Sequence, residues 1–153
     1  DRVDDPEGRG RVQVRLVAYP DLVTGWAPVL SAGSGPGKGL VALPDAGDTV
    51  LALLPGGDPA HAVVLGALLG AERTHDADEP GPRGGRYSMQ TPGGQRIVLD
   101  GHARSLVLSD GHGSLVEMGP DVLRVSAATD LVLEAPGHAL TVRARTVDFE
   151  EAP

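Results

Sequence analysis

The chain has 153 residues, no cysteine and a formal net charge of −8, which excludes disulfides and thiolate metal sites and argues against a nucleic-acid backbone as the main partner. Aromatic residues make up only 3%, against 22 Gly and 13 Pro, a composition that favours many short strands over one large core. The longest apolar run, 62–69, is broken at Gly66, so any membrane contact is expected to be transient or made through the surface.

Residues 1–10 are polar and Gly-containing and read as a flexible lead-in. The run 11–19 alternates polar and apolar residues, the pattern of a half-buried strand, with Pro20 and Asp21 expected to end it. A second candidate strand is 25–30, where Pro28 marks an edge or bulge. After the loop 31–39, apolar runs at 40–44, 49–54 and 62–68 are separated by the acidic turn 45–48 and the turn 56–61. Five short strands without a helix suit a small OB-type barrel over 11–70, a small sandwich being the alternative. Residues 71–90 begin charged, Pro/Gly-rich and aperiodic, and read as a linker.

Beyond Gln95 short apolar triplets recur between Gly/Asp/Ser/Pro turns, anchored at Ile97, Leu106, Leu115, Leu123, Leu131 and Leu140 and followed by Val147. A spacing of roughly nine residues is too short for helical repeats or propeller blades and fits short strands with tight turns. Each strand brings about two inward apolar side chains, such as Ile97 with Leu99, or Leu131 with Leu133. So few do not offset the entropy of ordering a lone ribbon. Three copies wound round one axis would complete each other's core and leave few free edges. Val98, Val107 and Val132 fall on the opposite face from their Leu neighbours; exposed strand formers and a second covered face both remain open.

Each chemistry-bearing cluster has a plainer reading beside it. The loop 33–39 resembles a phosphate-binding loop superficially. That motif needs a Gly where Ala32 stands, a hydroxyl where Gly39 stands, and a following helix. His61, His75, His102, His112 and His138 lack ligand spacing; an axial site from three copies of His102 or His112 is set against exposed turn residues. Asp45, Asp48 and Asp58 fit turns better than acid/base work. Arg11, Gln13 and Arg15 share one strand face, as in single-strand binders, but only Tyr19 and Trp26 could stack bases. No catalytic, cofactor or metal residue is therefore assigned, and no enzyme is expected.

The motif DPEGRGRVQVR at 5–15 resembles the opening of the OB domain in VgrG and phage baseplate-V spike proteins. Trp26, the Gly-rich loop ending at Gly39 and LP-x-x-GD-x-V at 43–50 fit the same family. So does GGDPAHAVVLGAL at 56–68, with Ala62 where a Pro is usual. TPGGQRIVLDG at 91–101 and the APG at 135–137 resemble its shaft repeats. The resemblance implies an all-β chain: an OB-fold barrel, then an intertwined trimeric β-helix (β-prism) over 91–153. It implies the central spike of a contractile injection machine, assembled in the cytoplasm into a phage tail, type VI system or extracellular particle and driven through a target envelope. The implied partners are two further copies, hub and tube proteins, a PAAR-type tip protein and, transiently, the target membrane; no cofactor and no nucleic acid are implied. A hub normally precedes the OB domain, so the chain is expected to be a fragment. Residues 71–86 are too short for the lysozyme domain of some members. Asp100, Asp110, Glu117, Arg124, Asp130, Glu134 and Arg143 are expected on a polar outer surface, with Phe149 sealing the distal core. The alternative is a binding or adhesin stalk module for glycan or nucleic acid.

Overall fold

The computed structural model describes residues 1–70 and 74–150; part of the expected linker, 71–73, and the last three residues of the expected shaft lie outside them. The chain divides into two compact units, Asp1–Ala77 and Asp78–Pro153. Among the described residues all regular structure is strand, apart from two short 3-10 turns at Pro55–Gly57 and Pro59–His61.

In the first unit, β1 (Arg15–Leu16) pairs antiparallel with β2 (Tyr19–Val23), and β3 (Val50–Leu53) pairs antiparallel with β4 (Val63–Ala67). Single bridges link the ladders: Arg2 with Gln13, Val12 with Ala27, and Val29 with Val64 in parallel. The core forms where these bridges meet. Val12, Ala27, Ala62 and Val64 are buried, flanked by Val3, Val14, Val29, Val50 and Leu54. Thr24 is buried as well, and its hydroxyl is satisfied: Oγ1 accepts from the Val14 amide at 3.0 Å and donates to the Gly25 carbonyl at 2.8 Å. This all-β unit is consistent with an OB domain.

Three local expectations are corrected here. The run 11–19 is not one strand, because the chain turns at Val17 and Ala18 and returns as β2. Pro20 and Asp21 lie inside that strand rather than ending it. No strand forms over 40–44; Leu40, Val41 and Leu43 are exposed.

The lead-in 1–10 is not a loose tail. Asp5 has a side chain only 2% exposed. Its carboxylate accepts from the amides of Glu7 (3.1 Å), Arg9 (3.1 Å) and Arg11 (3.3 Å) and takes both Nε and Nη2 of Arg11, at 2.9 and 2.8 Å. Gly8 and Gly10, with φ of 64° and 68°, supply the left-handed backbone that wraps three amides round one carboxylate. The DPEGRGR run is thus a ring closed by a bidentate ion pair.

The second unit is a five-stranded antiparallel meander in sequence order: β5 (Arg86–Gln90), β6 (Arg96–Asp100), β7 (Ser105–Ser109), β8 (Leu115–Met118) and β9 (Leu123–Ser126). β5 is a strand where a linker was expected. The turns at the same end of the sheet pack backbone on backbone: a Cβ added to Gly111 would lie 2.8 Å from the Gly94 carbonyl oxygen. Residues 127–150 form no strand; the triplets at Leu131, Leu140 and Val147, expected as strands, are unpaired within one chain.

Candidate functional site

Strand register decides which side chains share a face, since residues directly opposite in an antiparallel pair point the same way. The pairs Tyr87–Leu99, Met89–Ile97, Ile97–Leu108, Leu99–Leu106, Leu106–Met118, Leu108–Val116, Val116–Val125 and Met118–Leu123 follow from the ladders. One face of the meander is therefore wholly apolar. The other carries Arg86, Ser88, Gln90, Arg96, Asp100, Ser105, Ser109, Glu117, Arg124 and Ser126, with Val98 opposite Val107 and Leu115 opposite Ser126.

The apolar face is the open one. Eight of its side chains are exposed, from 37% at Ile97 to 73% at Tyr87. Two shallow hollows lie on it: one of about 380 Å³ bordered by Leu108, Val116, Val125 and Leu131, and one of about 450 Å³ bordered by Tyr87, Leu99, Leu106 and Met118. Contiguous exposed apolar surface of this kind marks an interaction site.

The polar face is the more covered one. Arg86 lies beneath the segment that precedes β5, with a side chain 4% exposed; it donates Nε to Asp100 at 3.0 Å and Nη2 to the Pro80 carbonyl. Arg96 donates to Glu79. The Asp100 carboxyl is held below the usual range by the Ala103 amide and by Arg86. Val98 and Val107 are half-buried here, which answers the question left open by the LVL pattern, while Val132 is exposed outside any strand. Arg86 Nη1 and Arg96 Nε and Nη2 are buried with no acceptor beside them.

The polar residues weighed in the sequence are mostly committed locally. Arg11 pairs with Asp5 and Glu7; Gln13 donates to the Thr24 carbonyl at 3.4 Å; Arg15 bonds the Pro20 carbonyl and Asp1. The Asp5 carboxyl is thereby driven far below the usual range, first by the Arg11 guanidinium and then by its backbone donors. Trp26 stacks under the Arg2 guanidinium, 5.4 Å from its centroid. The loop 33–39 closes as a two-bond hairpin between Gly35 and Lys38.

Asp48 accepts from the Asp45 amide at 2.9 Å, and Asp58 caps a turn through the Ala60 amide and meets His61 Nδ1 at 2.7 Å. His102 reaches the Gly84 carbonyl, His112 its neighbouring Asp110, and His138 closes a turn on Ala135. Among the described residues no three His, Cys, Asp or Glu side chains converge on a metal position. Asp100, Glu117 and Arg124 lie on the polar face and Asp110 in a turn, while Asp130, Glu134 and Arg143 are exposed in the unpaired segment. Phe149, expected to seal a core, is 95% exposed in the single chain.

Sequence reasoning missed three contributors. Tyr87 and Met89 were hidden in the expected linker, although RYSMQ alternates. Asp5 reads in sequence as a lead-in residue, although Gly8, Gly10 and Arg11 follow it closely. No helix among the described residues is long and apolar enough to cross a membrane.

No curated protein matches the chain. Residues 1–69 match the family described as the type VI secretion system/phage-baseplate injector OB domain. The ring at Asp5 and the bridged small core lie within that match, so residues 1–69 are similar to the OB domain of these injectors, which points to a component of a contractile injection system.

Proposed function

We propose that three copies of this chain join through the open face of β5–β9 and the unpaired segment after Ser126, forming an intertwined β-helical shaft that is the central spike of a contractile injection machine. The observation that carries the reading is the inversion of exposure on the second unit: the apolar face is open and the polar face is covered. A solvated sheet shows the reverse. Two copies could cover each other's faces, but they would leave the outer edges of β5 and β9 free. A closed threefold arrangement pairs the edges as well.

The function is mechanical, with no catalytic step. Contraction drives the rod through a target envelope, and interstrand hydrogen bonds and a shared apolar axis bear the load. Hub and tube proteins hold the end that carries the OB domain, and a small tip protein sits on the far end, where Phe149 offers an apolar platform. The particle assembles in the cytoplasm, and its contact with the target membrane is transient. The arginines that could have served an oligonucleotide are spent on Asp5, Glu7, Asp1 and Pro20, which weakens the binding-module alternative. Light scattering on the full chain in dilute buffer tests the assembly: a three-chain mass is expected, and a folded monomer overturns it.

A further inference from the structure

We infer that the outer face of the β3–β4 ribbon is a second contact between copies, burying Leu51, Leu53, Leu65 and Leu68 against a neighbouring chain; the inference rests on the self-association proposed above. The ribbon is apolar on both sides. Val50 and Val64 turn inward to the core, with Ala52 opposite Val64 on the same face, and Val64 is fully buried. Leu51 and Leu53 lie on the other face, Leu53 opposite Val63. The register slips at Leu51 and Ala52, which leaves Leu65 as the extra residue of a bulge. These four leucines are 53%, 53%, 40% and 54% exposed, in chain order.

Two features say what covers them. The first is pattern: strands with a single apolar face alternate polar and apolar residues, as β5–β9 do, whereas strands covered on both faces read as continuous apolar runs. Positions 49–57 and 62–70 are of the second kind and hold no ionisable side chain. The second is charge. Two copies with a formal net charge of −8 each repel one another, so the surface on which they meet is one that brings no carboxylates together. The patch is small, on the order of two whole leucine side chains per copy, well below the roughly 800 Å² per partner of a standalone interface. It therefore closes only when the second unit already holds the copies together, at the high effective concentration that a tether provides.

The chain has no cysteine, so a single spin label can be placed by Leu53→Cys in the full protein. Its mobility is read in the associated chain and in the same chain kept apart by Leu99→Lys on the meander face. A label immobilised on association and mobile when apart is the expected result. A label mobile in both states overturns this contact and leaves the meander assembly standing. A label immobile in both shows that the ribbon is covered by its own chain, and also overturns it. Failure of the wild-type chain to associate, or of Leu99→Lys to dissociate it, overturns the assembly reading itself.

Discussion

Leu99→Lys separates an open face from a covered one. In a single chain Leu99 sits on the open side of β6 and is 45% exposed, so a lysine there has access to water and changes the fold's stability within about 0.5 kcal/mol. In an assembly the same position is enclosed. Burying the exposed part of Leu99 is worth roughly half of the ~1.5–3 kcal/mol of a whole leucine, so Leu99→Ala costs an assembly about 1 kcal/mol per copy. The lysine adds the desolvation of an ammonium group, several kcal/mol per ion. Three such groups round one axis bring the loss to the order of 10 kcal/mol, far beyond a thousandfold in association. Sedimentation velocity over a concentration series reads the mass, and circular dichroism reads the fold. The expected result is a folded, monomeric Leu99→Lys chain, a partly dissociated Leu99→Ala chain, and no change for Ser126→Lys on the polar face. A Leu99→Lys chain that keeps the associated mass refutes the reasoning.

Three further outcomes follow from the geometry. Val64→Ala removes two methyls from a fully buried site and should cost the first unit about 2–3 kcal/mol, read by denaturant unfolding. Gly111→Ala places a Cβ 2.8 Å from the Gly94 oxygen at a φ of 76°, and should cost at least ~1–3 kcal/mol in thermal melts of the second unit. The Asp5 carboxyl, depressed by Arg11, contributes stability that is fully present above its unfolded value of ~3.9 and is lost as pH falls through the lower folded value. Carboxyl titration by NMR should therefore find Asp5 ionised below the ordinary carboxylate range, and Asp5→Asn should remove that part of the acid response and lower the stability of the first unit.

Much of the architecture was readable because periodicity is a strong signal where one face is apolar. The triplets at Ile97, Leu106, Leu115 and Leu123 all became strands of one meander, and the apolar runs at 49–54 and 62–68 became β3 and β4. The failures have physical causes. The bend at Val17 and Ala18 carries neither Gly nor Pro, so nothing in the run 11–19 announced it. Pro20 reads as a stop, yet β2 pairs with β1 alone, and a two-stranded ladder leaves a free side for a residue that cannot donate. Leu131, Leu140 and Val147 have the pattern of strands but no partner within their own chain, and a pattern does not say whose backbone completes the ladder. The site was legible as an apolar stripe. That the stripe would be the exposed side of the sheet, with Arg86 and Arg96 roofed over on the other, needed coordinates.

Each strand of the meander bonds only to the strands before and after it, and every ladder from β5 to β9 runs without a slip. Adding or removing one complete hairpin would leave the remaining pairings, and both faces, as they are. An insertion of a single residue within a strand would turn every later side chain over. Evolution can thus adjust the reach of this sheet in hairpin-sized increments, while finer changes in length are confined to the turns.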